Sequence, residues 1–126
     1  QVVLPLLEGD LFEIMQATTD GTLDRVDFSF ADKCACCLVA ASEGYPVSYE
    51  KGFEITLPEE HDNIFIAGSR LEDGVQRTSG GRVLGVTEVA DTLQEAVDKA
   101  YATMKTVHFD NMYYRKDIGA KALEVK

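Results

Sequence analysis

A run of small residues followed by an arginine is the part of this sequence whose side chains could bind a charged ligand. It reads Thr78-Ser79-Gly80-Gly81-Arg82. Consecutive glycines let the backbone approach a ligand closely, and the guanidinium that follows can donate paired hydrogen bonds to a phosphate or a carboxylate. The run therefore predicts an anion-binding lip with Gly80, Gly81 and Arg82 as candidate contacts.

Two further arginines, Arg70 and Arg77, precede this lip in the same stretch. The chain carries 12 Lys and Arg against 22 Asp and Glu, a net charge of −10, so three neighbouring arginines would form a local cationic patch. Arg70 and Arg82 come near the same end of a sheet if Gly80-Gly81 bends the chain. On residue types alone, however, ordinary surface salt bridges are favoured over a ligand site.

The elements that position these arginines are two strands and a tight turn. Residues 64–89 alternate between apolar and polar side chains on either side of Asp73-Gly74. This dipeptide is typical of a type I′ turn, because both central residues of that turn need positive φ. The stretch therefore predicts a β-hairpin.

The remaining elements predict an α+β fold, an antiparallel β-sheet or partial barrel with two flanking helices. Asp10 and Glu13 cap a first helix that ends at Gly21, and Thr92 and Glu95 cap a second helix with an apolar stripe. Strands are predicted over residues 22–31, 33–42 and 53–57, the second of them buried on both faces. Residues 120–126 are predicted to form a terminal turn or a frayed helix.

Size and charge limit the classes of partner. The 126 residues fit one domain, and the net charge of −10 argues against nucleic acids and anionic membranes. The longest apolar run, residues 34–41, is far shorter than the roughly 20 residues that span a bilayer. The first residues lack the features of a signal peptide and read as the interior of a longer chain. Small molecules and protein surfaces remain as partners.

Other reactive side chains predict no active site. Cys34, Cys36 and Cys37 are expected to be buried, reduced strand residues, because a closed zinc site needs a fourth ligand that no nearby Cys or His supplies. Reduced cysteines favour the cytosol. His61 and His108 are expected at the surface. No catalytic residue and no metal ligand is predicted for this chain.

Four blocks in register carry a family resemblance. They are VLPLLEGDL (residues 3–11), SEGYPVSYEKG (42–52), GGRVLGVTEVADTLQEAVDKAY (80–101) and HFDNMYYRKDIGAKAL (108–123). The chain resembles the C-terminal region of phosphoribosylamine–glycine ligases, ATP-grasp enzymes of purine biosynthesis. The resemblance implies that residues 1–21 are the end of the ATP-grasp region with a connecting helix, and that residues 22–126 are the C-terminal domain.

The resemblance also implies an activity for the complete enzyme, located in the cytoplasm. That enzyme would join 5-phosphoribosylamine to glycine, using ATP and Mg²⁺ or Mn²⁺. A segment with an RFGDPE-like motif and its metal-binding carboxylate ends just before the position of Gln1 in this family. The chain alone is therefore expected to hold no cofactor and to be inactive, with the rest of its own polypeptide as its partner.

By the same resemblance, Arg70 and Arg82 match a Lys and an Arg that hold the ribose phosphate in related ATP-grasp enzymes. Gly80 and Gly81 would let the backbone approach that phosphate. The family more often has Lys at the position of Arg70, where Arg keeps the charge but offers a planar fork. Two alternatives stay open: the C-terminal domain of another ATP-grasp enzyme, such as a carboxylase, and a free-standing binding module.

Overall fold

Eight strands and three α-helices follow one another along residues 1–124, the part of the chain that this computed structural model describes. Two short 3₁₀ helices, Leu4–Leu6 and Leu23–Arg25, lie near the N-terminus. The helices are α1 (Leu11–Asp20), α2 (Leu93–Met104) and α3 (Ala120–Glu124). The strands are β1 (Leu7–Glu8), β2 (Ser29–Phe30), β3 (Cys34–Ser42), β4 (Ile64–Ile66), β5 (Ser69–Glu72), β6 (Val75–Thr78), β7 (Arg82–Ala90) and β8 (Met112–Tyr113).

A four-stranded antiparallel sheet in the order β4-β7-β3-β8 forms the centre of the molecule. Helix α2 begins where predicted, because the Thr92 hydroxyl accepts a hydrogen bond from the Glu95 N–H at 3.2 Å. It packs across one face of the sheet and confirms the α+β prediction. The buried residues of this layer include Leu38, Ala40, Leu84, Val86, Ala96, Ala100 and Met104.

Strand β3 corrects the prediction that both of its faces are buried. Its side chains alternate, and Val39 is 41% exposed between the buried Leu38 and Ala40. A strand is buried on both faces only where a layer covers each of them. Helix α2 covers one face, whereas Gln1, Tyr45 and the segment after β8 cover only part of the other.

The hairpin prediction is confirmed at its turn and corrected in its strands. Asp73 and Gly74 have φ of 50° and 80°, as a type I′ turn requires. Strands β5 and β6 pair with each other as a separate two-stranded sheet, while β4 and β7 belong to the central sheet. The predicted pair of long strands therefore breaks at residues 67–68 and 79–81.

Two glycines in backbone contact explain this break. The carbonyl of Gly68 accepts hydrogen bonds from the N–H groups of Ser79 and Gly80, at 2.8 and 2.9 Å. A Cβ on Gly68 would lie 2.4 Å from the Arg82 oxygen and 2.8 Å from the Gly80 Cα. The two segments of the backbone therefore meet without side chains between them, and we call this contact the glycine crossing.

Two other predicted elements differ from the structure, and the predicted terminal helix is confirmed as far as the structure describes it. Residues 22–31 form the 3₁₀ helix Leu23–Arg25 and the short β2, which pairs with β1, and not one longer strand. Residues 53–57 make isolated bridges, Glu54 to Arg77 and Thr56 to His108, and not a regular strand. Helix α3 ends the described chain, and the part of its prediction that covers residues 125–126 lies outside the described residues.

Helix α1 begins and ends where predicted but does not flank the sheet. The Asp10 carboxylate accepts hydrogen bonds from the N–H groups of Phe12 and Glu13, and Gly21 closes the helix with φ of 69°. Of its residues only Ala17 is buried. The helix packs against Leu23–Arg25 and leaves its apolar face exposed. No helix within residues 1–124 has the length and apolar character to cross a membrane.

Candidate functional site

Arg82, the first residue of β7, lies at the junction of two cavities. The first has a volume of about 520 Å³ and is lined by backbone at Gly68, Gly81 and Gly85, together with Gln1, Tyr45 and Arg82; we call it the glycine cavity. The second has a volume of about 330 Å³, lies mainly between β3 and the segment 113–118, and is the tyrosine cleft. Tyr45 and Arg82 line both cavities.

Contacts within the chain account for the two glycines of the predicted lip. Gly80 takes part in the glycine crossing, and a Cβ on Gly81 would lie 1.9 Å from the Tyr45 Cδ2 atom. Neither glycine has positive φ. Close packing, and not backbone torsion, therefore requires glycine at these two positions. Gly81 lines the glycine cavity, whereas Gly80 lines neither cavity. A contact of either glycine with a ligand stays a prediction.

Ser42 holds the same two glycines from the side of β3. Its N–H donates to the Gly81 carbonyl at 2.8 Å, and its hydroxyl donates to the Gly80 carbonyl at 3.2 Å. Ser42 is buried, so these hydrogen bonds are shielded from water. The backbone that leads into Arg82 is therefore fixed.

Salt bridges explain two of the three arginines. An Arg70 guanidinium nitrogen lies 2.8 Å from the Glu72 carboxylate, and Arg77 lies 3.8 Å from the same carboxylate while donating to the Gly52 carbonyl. Arg70 and Arg77 therefore have the surface salt bridges that residue types favour, and a ligand contact of Arg70 stays a prediction. Arg82 is exposed and forms no ion pair within residues 1–124.

Arg70 and Arg82 belong to different sheets but lie near each other. The Gly68 N–H donates to the Arg82 carbonyl at 2.8 Å, and Arg70 follows two residues later, about 7 Å along the strand. Arg70 lines neither cavity. The structure therefore brings Arg82 and Gly81 together in one cavity, with Arg70 on the neighbouring hairpin.

Sequence reasoning missed several residues of the glycine cavity. On sequence alone Tyr45 is only a member of the block SEGYPVSYEKG, and Gln1, Gly68 and Gly85 belong to no predicted site. One signal was present, because Gly68 interrupts the alternating pattern of a strand, and such a glycine often marks a close backbone approach. Nothing local indicates that Tyr45 meets Gly81, 36 residues away in sequence.

The second arginine of the tyrosine cleft, Arg115, is engaged by a carboxylate. It donates from Nε and an Nη to the Asp117 oxygens at 2.9 and 2.7 Å. These hydrogen bonds lower the pKa of the Asp117 carboxyl and raise the pKa of the guanidinium. Arg82 is thus the cleft's cation without a carboxylate partner among the described residues.

The three cysteines are free thiols. Cys36 is buried, and burial together with the neighbouring Cys37 raises the pKa of its thiol, as the prediction of an inert strand cysteine requires. Cys34 and Cys37 are half-buried, so the prediction is only partly confirmed for them. The Cys37 thiol donates to the Gln1 side-chain oxygen at 3.4 Å.

The described residues offer no ready site for a metal. Within residues 1–124, no three side chains of His, Cys, Asp or Glu come together as metal ligands would. The His61 Nδ1 lies 3.0 Å from the Pro58 carbonyl, which fits a loop-stabilising role. The expectation that this chain binds no metal and contains no catalytic residue stays a prediction.

Comparisons with known proteins agree with the resemblance. Residues 35–121, more than half of the chain, match the family model described as phosphoribosylglycinamide synthetase, C domain. The chain is 47% identical to a phosphoribosylamine–glycine ligase of Clostridium acetobutylicum, covering 94% of this chain and 29% of that protein. It is 43% identical to a trifunctional purine biosynthetic protein of Bos taurus, covering 98% of this chain and 13% of that protein.

A solved structure supports the same assignment. The crystal structure of a phosphoribosylamine–glycine ligase from Thermotoga maritima superposes with a TM-score of 0.75 at 37% identity, over 93% of this chain and 29% of that chain. The chain thus spans less than a third of each of these relatives. With a family model over more than half of its length, and with a matching fold, this chain belongs to the phosphoribosylglycinamide synthetase C-domain family.

Proposed function

We propose that this chain is the C-terminal domain of a cytoplasmic phosphoribosylamine–glycine ligase that joins 5-phosphoribosylamine to glycine with ATP. Relatives that bear the name of this ligase cover the chain almost completely. The observation that carries the proposal is Arg82, exposed beside Gly81 at the glycine cavity and without a carboxylate partner in residues 1–124. A ligase of this kind must hold a phosphorylated amine, and such a cation can hold it.

In this proposal Arg82 binds the ribose phosphate in the glycine cavity. Its planar fork can donate two hydrogen bonds to phosphate oxygens, and the net charge of −10 for the whole chain makes this local cation distinctive. Arg70 is the second candidate contact. Its ion pair with Glu72 is exposed on both sides, and exposed pairs of this kind contribute roughly 0–1 kcal/mol, so a phosphate can replace the carboxylate.

The position of Gln1 supports a role for the glycine cavity in the complete cleft. Gln1 lines the same cavity as Gly81 and Arg82. The family resemblance places the segment with the metal-binding carboxylate just before this residue. ATP would supply the phosphoryl group that activates glycine, and Mg²⁺ or Mn²⁺ would balance its charge. On the strength of the resemblance, we assign both cofactors to the rest of the ligase.

An exposed apolar surface near the N-terminus supports the rest of the polypeptide as partner. Phe12 and Met15 of α1 are 72% and 61% exposed. Leu4 and Leu11, which are close to them in sequence, are also exposed, and so is Phe30, which pairs with Leu7 of β1. Soluble monomers rarely expose so many large apolar side chains together. We infer that residues 1–31 pack against the remainder of the ligase.

Contacts within residues 1–31 define the proposed domain boundary. Strand β2 pairs with β1, and Leu23–Arg25 packs on α1, so residues 22–31 go with residues 1–21. The buried core cluster lies within residues 34–118. We therefore move the boundary from residue 21 to about residue 31, close to the start of the family match at residue 35.

Removing residues 1–31 tests this boundary. We expect residues 32–126 to unfold cooperatively on heating, with a midpoint within about 5 °C of the whole chain, because the core cluster is complete without them. Removing residues 105–126 is the matched control and should abolish the cooperative transition, because it deletes the buried Val107 and Phe109. A shortened chain 32–126 without a cooperative transition would show that the two segments form one unit.

The activity itself is tested with the complete polypeptide that contains this chain. We expect it to form glycinamide ribonucleotide from phosphoribosylamine, glycine and ATP, with release of ADP and phosphate, and we expect the isolated chain to be inactive. An active isolated chain would contradict the assignment of ATP and metal to the rest of the ligase. A complete polypeptide without this activity would contradict the proposed function.

A further inference from the structure

We propose that Tyr45 is a positioning residue for phosphoribosylamine, and that its ring fixes Gly81 and thereby the place of Arg82 in the glycine cavity. This inference rests on the proposed function, since it needs Arg82 to contact the substrate. In this proposal Tyr45 does not contact the substrate and acts through the backbone that its ring contacts.

The contact between the Tyr45 ring and Gly81 is the main evidence. A Cβ on Gly81 would lie 1.9, 2.4 and 2.8 Å from the Cδ2, Cε2 and Cγ atoms of Tyr45. Several ring atoms therefore cover the position where any other residue would carry its side chain. Because Arg82 follows directly, a shift of Gly81 moves the base of the Arg82 side chain.

The turn that carries Tyr45 is fixed to the same backbone. The Tyr45 N–H donates to the Ser42 carbonyl at 3.1 Å, and Ser42 in turn donates to the carbonyls of Gly80 and Gly81. The Tyr49 ring meets the Tyr45 ring edge-on, with centroids 5.7 Å apart. Ser42 and Tyr45 thus hold the residues before Arg82 through two kinds of contact, hydrogen bonds and ring packing.

The location of Tyr45 explains why this contact would affect one substrate. Tyr45 and Arg82 line both cavities, so the ring lies between the glycine cavity and the tyrosine cleft. Without the ring, Gly81 would lose this packing contact and would be held through the hydrogen bonds from Ser42 alone on that side. The Tyr45 hydroxyl forms no hydrogen bond within the described residues, so the ring and not the hydroxyl should matter.

The test measures Michaelis constants in the complete ligase. We expect Tyr45→Ala to raise the Michaelis constant for phosphoribosylamine about tenfold and to leave that for ATP within about twofold, because only the ribose phosphate site is displaced. Tyr45→Phe keeps the ring, and its Michaelis constant for phosphoribosylamine should stay within about twofold of the native value. Val47→Ala, which removes a 92% exposed apolar side chain from the same turn, is the matched control and should leave both constants within about twofold.

A double-substitution cycle with Gly81 separates the contact from general destabilisation. Gly81→Ala should raise the same constant strongly in the native background, where the new Cβ meets the ring, and much less in the Tyr45→Ala background, where the ring is gone. Additive effects would overturn the inference. So would a Tyr45→Ala enzyme in which all three substrates are affected equally, as a purely structural role predicts.

The outcome also separates this inference from the proposed function. If Arg82→Ala raises the constant for phosphoribosylamine and Tyr45→Ala does not, the positioning role is wrong and the phosphate site stands. If neither substitution changes it, both the positioning role and the phosphate site are wrong. If both raise it and Tyr45→Phe rescues, the positioning role is supported.

Discussion

Arg82→Ala in the complete ligase is expected to lower kcat/KM for phosphoribosylamine by about 10- to 100-fold, mainly through the Michaelis constant. The size follows from the loss of charge-assisted hydrogen bonds to a phosphate, about 1.5–3 kcal/mol in all. The Michaelis constants for ATP and glycine should stay within about twofold, because Arg82 is assigned to the ribose phosphate alone. Steady-state kinetics with each substrate varied in turn measures all three values.

Three companion variants make this result specific. Arg82→Lys keeps the charge but not the planar fork and should fall between the native enzyme and Arg82→Ala. Lys99→Ala removes one positive charge from an exposed position on α2, across the sheet, and should leave kcat/KM unchanged. Arg70→Ala should have a smaller effect than Arg82→Ala, because Arg70 already pairs with Glu72. Equal losses for Lys99→Ala and Arg82→Ala would mean that net charge, and not a phosphate contact, is responsible.

Gly68→Ala is expected to lower the free energy of unfolding of the isolated chain by about 3 kcal/mol. The new Cβ would lie 2.4 Å from the Arg82 carbonyl oxygen and 2.8 Å from the Gly80 Cα, and both are backbone atoms that no rotamer change can move. The two backbone segments of the glycine crossing must therefore move apart, and this weakens the hydrogen bonds from Ser79 and Gly80 to the Gly68 carbonyl. Urea denaturation measures the change, provided that the dependence of the unfolding free energy on urea concentration is the same for both chains.

Gly21→Ala is the matched control for this prediction. Gly21 ends α1 with φ of 69°, and a Cβ there meets nothing within 4 Å, so alanine brings only backbone strain of about 1 kcal/mol. The comparison isolates the effect of the glycine crossing from the effect of adding a methyl group to any glycine. A Gly68→Ala chain no less stable than the Gly21→Ala chain would show that the crossing tolerates a side chain.

Local signals in the sequence predicted the ends of elements well. Asp10 and Thr92 accept hydrogen bonds at the helix starts that their positions indicated, and Asp73-Gly74 forms the expected turn. In each case the residues that decide the structure are within a few positions of one another. Propensity and hydrogen bonding over such short distances depend little on the rest of the fold.

Features that depend on distant contacts were not predictable in the same way. The alternation of burial in β3 depends on α2 covering one face only, and no residue of β3 reports that. The capped helix α1 has an apolar face, which suggested packing on the sheet, yet the face is exposed in this chain. The break in the long hairpin depends on Gly68 meeting Gly80, twelve residues away.

The candidate site was half predictable for the same reason. Residue types singled out Arg82 and the two glycines, and the structure places Arg82 and Gly81 together at the glycine cavity. The expected bend at Gly80-Gly81 and the resemblance both grouped Arg70 with Arg82; the structure places the two near each other and pairs Arg70 with Glu72, and a shared ligand stays a prediction. Tyr45 and Ser42 gained a role only from the tertiary contacts that they make with Gly80 and Gly81.

A crystal structure of the complete ligase with glycinamide ribonucleotide bound would show whether Arg82 holds the ribose phosphate. We expect the phosphate of the nucleotide to lie in the glycine cavity, with its oxygens about 2.7–2.9 Å from the Arg82 guanidinium nitrogens. We also expect the Tyr45 ring to remain against Gly81. A phosphate bound elsewhere, with the Arg82 guanidinium facing solvent or an acidic side chain, would show that Arg82 is not the phosphate contact.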